Sequence, residues 1–161
     1  MSGEYSGEGW DADNLTDELI ASGVTARNTI GRIFDFGFGA GGPIVRDRLW
    51  FYGSFRKYGT KTFVAGNYFN ATPHTLFYTP DRDRQAFIAR RNWASGGRVT
   101  FPAAENHKLT YRYNGSYQCF RPQGPEFGLA PSGSYIYELA PQWLQAGQWT
   151  WTLSNLSLIH I

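Results

Sequence analysis

Apolar and polar residues alternate with a period of two through most of the chain. Phe34, Phe36 and Phe38 alternate with Ile33, Asp35 and Gly37. Leu49, Phe51, Gly53 and Phe55 alternate with Trp50, Tyr52, Ser54, Arg56 and Tyr58. Val99 and Phe101 alternate with Arg98 and Thr100, and Leu109, Tyr111, Tyr113 and Gly115 with Lys108, Thr110, Arg112, Asn114 and Ser116. From Tyr135 onward, Tyr135, Tyr137, Leu139, Trp143, Trp149 and Trp151 share one parity, while Ile136, Glu138, Gln142, Gln148 and Thr150 share the other. This period places successive side chains on opposite faces of a β-strand. The predicted strands are Ile30–Ile44, Arg48–Thr60, Trp93–Pro102, Lys108–Cys119 and Tyr135–Trp151. Pro141 cannot donate a ladder bond, so a bulge, edge or break is expected beside it.

One short helical turn is predicted over Leu15 to Ser22. Asn14 is its expected cap, Asp17 and Glu18 sit in its first turn, and Gly23 closes it. The connections alternate in length. Val45-Arg46-Asp47 and Ala103 to His107 are short; Asp11–Thr29, Lys61–Asn92 and Phe120–Ser134 are long, polar and rich in Gly and Pro. Short turns at one edge and long loops at the other are the layout of an outer-membrane barrel. Tyr135–Trp151 extended spans roughly 55 Å at about 3.3 Å per residue, more than the 9–11 residues a membrane-crossing strand needs.

Composition sharpens this picture. Of 161 residues, 17% are aromatic and only 17% charged, with 19 Gly and a net charge of +2. An ordinary soluble domain is roughly 25% charged. The near-neutral balance gives no electrostatic footprint for nucleic acid, so no nucleic-acid partner is expected. No stretch is long and apolar enough for a membrane helix. The start, Met1-Ser2-Gly3-Glu4-Tyr5, has no signal-peptide character. Alone that suggests a cytoplasmic protein, but the strand pattern argues otherwise, and Met1 is not expected to be the true start. An apolar face repeated over five strands needs a cover, since each fully buried large apolar side chain gains roughly 1.5–3 kcal/mol. A second sheet or lipid would provide it. Arg56, Arg98, Arg112, Glu138, Gln142 and Gln148 on the other face suit a wet lumen. A membrane sheet must close to pair its backbone; this few strands cannot close a wide barrel, so the chain would be a piece of one.

The segment Gly41-Gly42-Pro43-Ile44-Val45-Arg46-Asp47-Arg48-Leu49-Trp50-Phe51 resembles the GGPI-x-(K/R)-D-(K/R)-L-(W/F)-F hairpin of TonB-dependent outer-membrane receptors. It is most similar to the Oar-like branch, whose members carry an N-terminal carboxypeptidase-regulatory-like domain. Asp13-Asn14-Leu15-Thr16-Asp17-Glu18-Leu19 resembles a loop of that branch. The resemblance spans Ser2 to about Asn155. It implies an all-β antiparallel meander of five to six long strands, an open fragment of a barrel of about 22 strands, following the plug domain. It further implies location in the bacterial outer membrane and active uptake of a scarce ligand: siderophore, cobalamin, oligosaccharide or peptide. The implied partners are outer-membrane lipid, the rest of the barrel, the plug domain and, through the plug, the TonB complex. No plug or TonB box is present in the chain, and Cys119 is single where the family often has paired cysteines nearby. Residues 1–155 are assigned to the partial barrel. Leu156 to Ile161 resembles a translated sequencing adapter and is read as a non-native tail.

The individual residues point to no chemistry. His74, His107 and His160 share no ligand spacing, and Cys119, at a strand end, reads as inert, so no metal and no cofactor are expected. Asp81-Arg82-Asp83-Arg84 reads as a solvated face, and Tyr68, Phe69, Phe77 and Tyr78 as loop packing. Gly37 to Gly42 lacks the following helix that a phosphate cradle requires. Trp143, Trp149 and Trp151 fit an aromatic girdle or simple sheet packing equally. No catalytic set is evident, so no enzyme is expected; the ligand-binding residues remain unassigned. The alternative reading is a soluble all-β carbohydrate-binding module using exposed tryptophans.

Overall fold

A computed structural model describes residues 1–24 and 26–153. Six strands form one antiparallel sheet in chain order: β1 (Ser2–Gly7), β2 (Thr29–Val45), β3 (Leu49–Asn70), β4 (Pro80–Ala104), β5 (His107–Gln123) and β6 (Tyr135–Trp151). The fold is therefore all-β, an open meander in which every ladder joins consecutive strands. The tail assigned to Leu156–Ile161 and the end of the barrel segment near Asn155 lie outside the described residues.

The alternation of side chains sets two different faces, because register partners share a face. One face carries rows such as Phe38–Phe55–Ser95–Gly115–Trp143 and Gly42–Phe51–Val99–Tyr111–Gly147. The other carries Gly41–Tyr52–Arg98–Arg112–Ala146 and Gly37–Arg56–Ala94–Ser116–Gln142. They are called the aromatic and polar faces below. Neither is covered by a second layer of described residues. Phe51, Leu109 and Tyr111 remain 42%, 45% and 46% exposed, and among the described residues the buried apolar side chains are Val64, Ala86 and Cys119 with the loop prolines Pro125 and Pro131. The sheet has almost no core of its own.

Both short turns lie at one edge. Arg48 N–H donates to the Val45 carbonyl (3.1 Å) across a turn in which Asp47 adopts positive φ. At the other, Ala104 pairs with His107 around Glu105-Asn106. The three long connections lie at the opposite edge. The first contains α1 (Asp17–Ala21), with Asp17 and Glu18 in its first turn as expected. Its N-cap is Thr16, whose hydroxyl accepts from Leu19 N–H, so the expectation of Asn14 is corrected. The helix is shorter than Leu15–Ser22 because Thr16 is extended, at φ −81° and ψ 158°.

Two expectations need larger correction. Most of Lys61–Asn92 is strand, not loop: β3 and β4 run far past their predicted ends and leave only residues 71–79 as the turn. Beyond Lys57 and Arg91 charge appears on both faces, so the one-sided apolar signal fades while backbone pairing continues through Lys61↔Ala89 and Phe63↔Phe87. Likewise β5 continues to Gln123, and the Phe120–Ser134 link shrinks to two 3-10 turns, Pro125–Phe127 and Pro131–Gly133, with their flanks. The second correction is in β6. Ser116 pairs with Gln142 but Gln118 pairs with Leu139, so β6 holds one extra residue at Ala140-Pro141. This is the bulge that Pro141 predicts, and it reverses the parity. Tyr137 and Leu139 therefore lie on the polar face, and Glu138, opposite Cys119, lies on the aromatic face rather than with the lumen-type residues.

Candidate functional site

The ladders turn the sequence pattern into a continuous feature. On the aromatic face no Asp, Glu, Lys or Arg occurs over residues 34–42 of β2, 49–55 of β3, 93–101 of β4, 107–117 of β5 or 143–151 of β6. Charge resumes on that face at Arg32, Lys57, Arg91 and Glu138. Where they overlap, from the row Phe38–Phe55–Ser95–Gly115–Trp143 to the row Gly42–Phe51–Val99–Tyr111–Gly147 and on to Phe101–Leu109–Trp149, they form one uncharged band, and the next row toward the long connections, Phe36–Lys57–Trp93, is interrupted by Lys57. On β2, β4, β5 and β6 the uncharged stretch reaches the 9–11 residues with which a tilted strand crosses a bilayer, and on β3 it ends sooner, at Lys57. Over the same span the polar face carries Asp35, Arg56, Arg98, Arg112 and Lys108.

Aromatic rings concentrate toward both borders of the band. Near the short turns, His107 packs against both Trp149 and Trp151 at centroid distances of 5.7 and 5.5 Å, the two indoles stack on each other at 6.1 Å, and His107 Nδ1 accepts from Trp149 Nε1 (3.2 Å). Toward the long connections, Phe38 contacts Phe55, Phe55 stacks on Trp93, and Trp93 stacks on Tyr117 with an interplanar angle of 10°. Between them lies the row Ala40–Gly53–Gly97–Tyr113–Gln145. There Gln145 Oε1, the carbonyl of an amide on the aromatic face in mid-band, accepts from the Tyr111 hydroxyl (2.6 Å). Trp149 and Trp151 thus belong to the border near the short turns; Trp143 sits in the row of Phe38 and Phe55.

On the polar face, Tyr52, Ser54, Gly96, Arg98, Arg112 and Asn114 line a concavity of about 440 Å³. A Cβ on Gly96 would stand 3.0 Å from Ser54 Oγ, so the glycine keeps the hollow open. Arg56 is bound to Asp35 by a forked ion pair, its Nε lying 2.9 and 3.0 Å from the two carboxylate oxygens. Arg98 and Arg112 have no carboxylate partner among the described residues. Their donors face open space, ready for a ligand or another chain.

The long connections are tied together above this wall. Asp11 accepts from Arg27 Nη1 (2.7 Å) and Ile30 N–H (3.0 Å), and Arg27 Nε reaches Asp13. The Ile30 amide and the Arg27 guanidinium hold the Asp11 carboxyl below its ordinary range, and Asp11 raises Arg27 in turn. Asn28 accepts from Ala65 N–H (2.8 Å). Val64 to Asn67 bulges from β3, with Gly66 at φ 68°, and its Asn67 side chain donates to the Pro125 and Leu129 carbonyls. A cavity of about 490 Å³ opens there, bordered by Tyr78 and Glu126. Asn70 fixes the 71–79 turn, accepting from Thr72 and Thr79 N–H.

The remaining sequence candidates are not brought together. His74 sits at positive φ in the 71–79 turn, far along the chain from His107, and among the described residues no group of three metal-type ligands occurs. His160 lies outside the described residues. Cys119 is buried on the aromatic face. Tyr78 donates to the Tyr68 carbonyl (3.0 Å) and Arg84 lies over Phe69, so those loop aromatics pack locally, whereas Phe77 is 78% exposed. Gly37 to Gly42 is simply strand, with Gly41 in close approach: a Cβ there would stand 2.9 Å from the Phe51 carbonyl. Sequence reading missed the loop-edge cavity, since it depends on a bulge that no local pattern announces.

No family model, no curated protein and no solved structure matches the chain.

Proposed function

We propose that this chain is part of the wall of a TonB-dependent outer-membrane receptor, of the Oar-like type, that takes up a scarce ligand. The observation that carries the reading is the uncharged band, in register across five strands and backed by a charged face. Water tolerates charge on both faces of a strand; hydrocarbon tolerates it on neither exposed side, at about 2–4 kcal/mol for a mid-depth Arg or Lys. One-sided exclusion of charge is what a sheet between lipid and a wet passage requires. The aromatic rings at both borders fit the girdles of such barrels.

In this reading the aromatic face meets lipid and the polar face lines the passage. Arg98, Arg112 and Asn114 present hydrogen-bonding groups to whatever occupies it. The long connections form the outward rim, and the cavity beside Tyr78 and Glu126 contributes to ligand capture. A plug domain, energised by the TonB complex, would gate transport from elsewhere in the receptor. The soluble carbohydrate-binding alternative needs the aromatic face covered by protein, and no described residue overlies it.

Brominated acyl chains provide the test. Single-tryptophan variants retaining Trp143 or Trp50 are reconstituted into phosphatidylcholine vesicles with and without bromine on the tails. Trp143 fluorescence should be strongly quenched, and Trp50, on the polar face, much less. A cooperatively melting monomer in plain buffer, with neither tryptophan quenched, would establish the soluble module instead.

A further inference from the structure

On the aromatic face cations begin at Lys57, in the row Phe36–Lys57–Trp93, and gather in the two rows beyond it. Arg91 stands in the row Phe34–Gly59–Arg91–Cys119–Glu138, and Arg32 pairs with Lys61 in the next. With Arg121 they line a single cavity of about 620 Å³, walled by Phe87 and Tyr117. None of the four forms an ion pair among the described residues. Lys61 Nζ lies over the Phe63 and Phe87 rings at 4.5 and 4.7 Å, and the Arg32 guanidinium over Phe34 at 5.5 Å, so these charged ends rest against aromatic faces and no carboxylate takes them up. Glu138, opposite Cys119, is the acidic side chain bordering the group.

Four unpaired cations on a lipid-facing surface are unfavourable unless an anion meets them. Their position defines that anion. They sit at the border where the apolar band ends, toward the long connections, so a group that neutralises them has its hydrophobic part reach past Lys57 to Trp93, Phe55 and Phe38. Guanidinium forks match phosphate oxygens, and basic pockets at this depth bind phosphorylated headgroups. We propose that Arg32, Lys61, Arg91 and Arg121 form a binding site for the phosphate of a membrane lipid headgroup, whose acyl chains lie on the uncharged band below. The site rests on the barrel-wall reading above, because a lipid must reach this face.

The test measures partition of the whole chain onto phosphatidylcholine vesicles with and without phosphatidylglycerol. The chain should bind both and prefer the phosphatidylglycerol vesicles, with the preference weakening as salt rises. Replacing the four by glutamine should remove roughly ten-fold or more of that preference and leave binding to phosphatidylcholine intact. Lys61→Gln or Arg91→Gln alone should each remove up to about five-fold, which keeps the test valid if the fourfold variant loses its β-sheet circular dichroism. A control with Arg46, Arg48, Arg82 and Arg84 changed to glutamine should keep the preference. Equal loss in the control means bulk charge attraction and overturns the site, as does an unchanged preference in the fourfold and single variants. Abolition by free inorganic phosphate points to a soluble anion and also overturns it. Failure of the unaltered chain to bind phosphatidylcholine overturns the barrel-wall reading itself.

Discussion

Arg98 and Arg112 stand directly across from one another in the β4–β5 ladder, two like charges on adjacent strands of the polar face. Directly opposed like charges weaken a sheet by roughly 0.2–1 kcal/mol. The structure retains them beside a concavity, where their donors are free. Arg112→Glu should therefore raise stability by an amount in that range, read as a higher urea midpoint in detergent micelles. A lower midpoint would mean that the pair is already neutralised by a partner that the substitution disrupts.

The two faces make opposite demands on neighbouring residues of one strand. Gln145 lies in mid-band on the aromatic face and Leu144 on the polar face. Arginine at position 145 should cost about 2–4 kcal/mol in a bilayer, although it replaces a polar residue. Leu144→Arg, which puts charge in place of an apolar side chain, should change stability by less than about 0.5 kcal/mol. Equal costs for the two, measured by reversible denaturation from vesicles, would contradict the assignment of faces.

Glycines on the aromatic face differ in how much room surrounds them. A Cβ on Gly59 would stand 2.9 Å from two atoms of the Phe34 ring and also press on the Arg90 carbonyl, while one on Gly53 meets nothing within 4 Å. Gly59→Ala should destabilise by roughly 1–3 kcal/mol through overpacking. Gly53→Ala should stay within about 0.5 kcal/mol of the parent. Chemical-denaturation midpoints of the two variants give the comparison.

The β1–β2 connection carries a pH dependence. Asp11 is held ionised by the Ile30 amide and Arg27, so its folded value lies below the ordinary 3.8. A depressed carboxyl stabilises the folded form above its unfolded value, and the contribution is lost as pH falls through the lowered one. The protection of the Ile30 amide, measured against exchange in an unstructured chain at the same pH, should be constant above pH 3.8 and fall below it. Asp11→Asn should remove this acid step.

Strand identity, faces and turn placement were legible wherever one face was apolar and the other polar. Phe51 to Phe55 and Leu109 to Gly115 give that signal because lipid or protein must cover one side only. It vanished beyond Lys57 and Arg91, where water suits both faces and the ladder is held by backbone bonds that no side-chain pattern records. The same limit explains β6. Pro141 announces a bulge, an edge or a break, and which of them occurs depends on the pairing of Ser116 and Gln118 in the neighbouring strand, so the alternation alone puts Glu138 on the wrong face. The cation cavity was hidden for a related reason: Arg32, Lys61, Arg91 and Arg121 come from four strands and meet only through register.

Because every ladder joins sequence neighbours, no pairing has to wait for a distant part of the chain. The β4–β5 hairpin can start at Glu105-Asn106 and zip upward. Each added strand then costs the closure entropy of its own connection alone, which grows only slowly with length. Contacts of low sequence separation favour rapid formation. The sheet can thus be laid down hairpin by hairpin, each strand adding beside its neighbour in the chain.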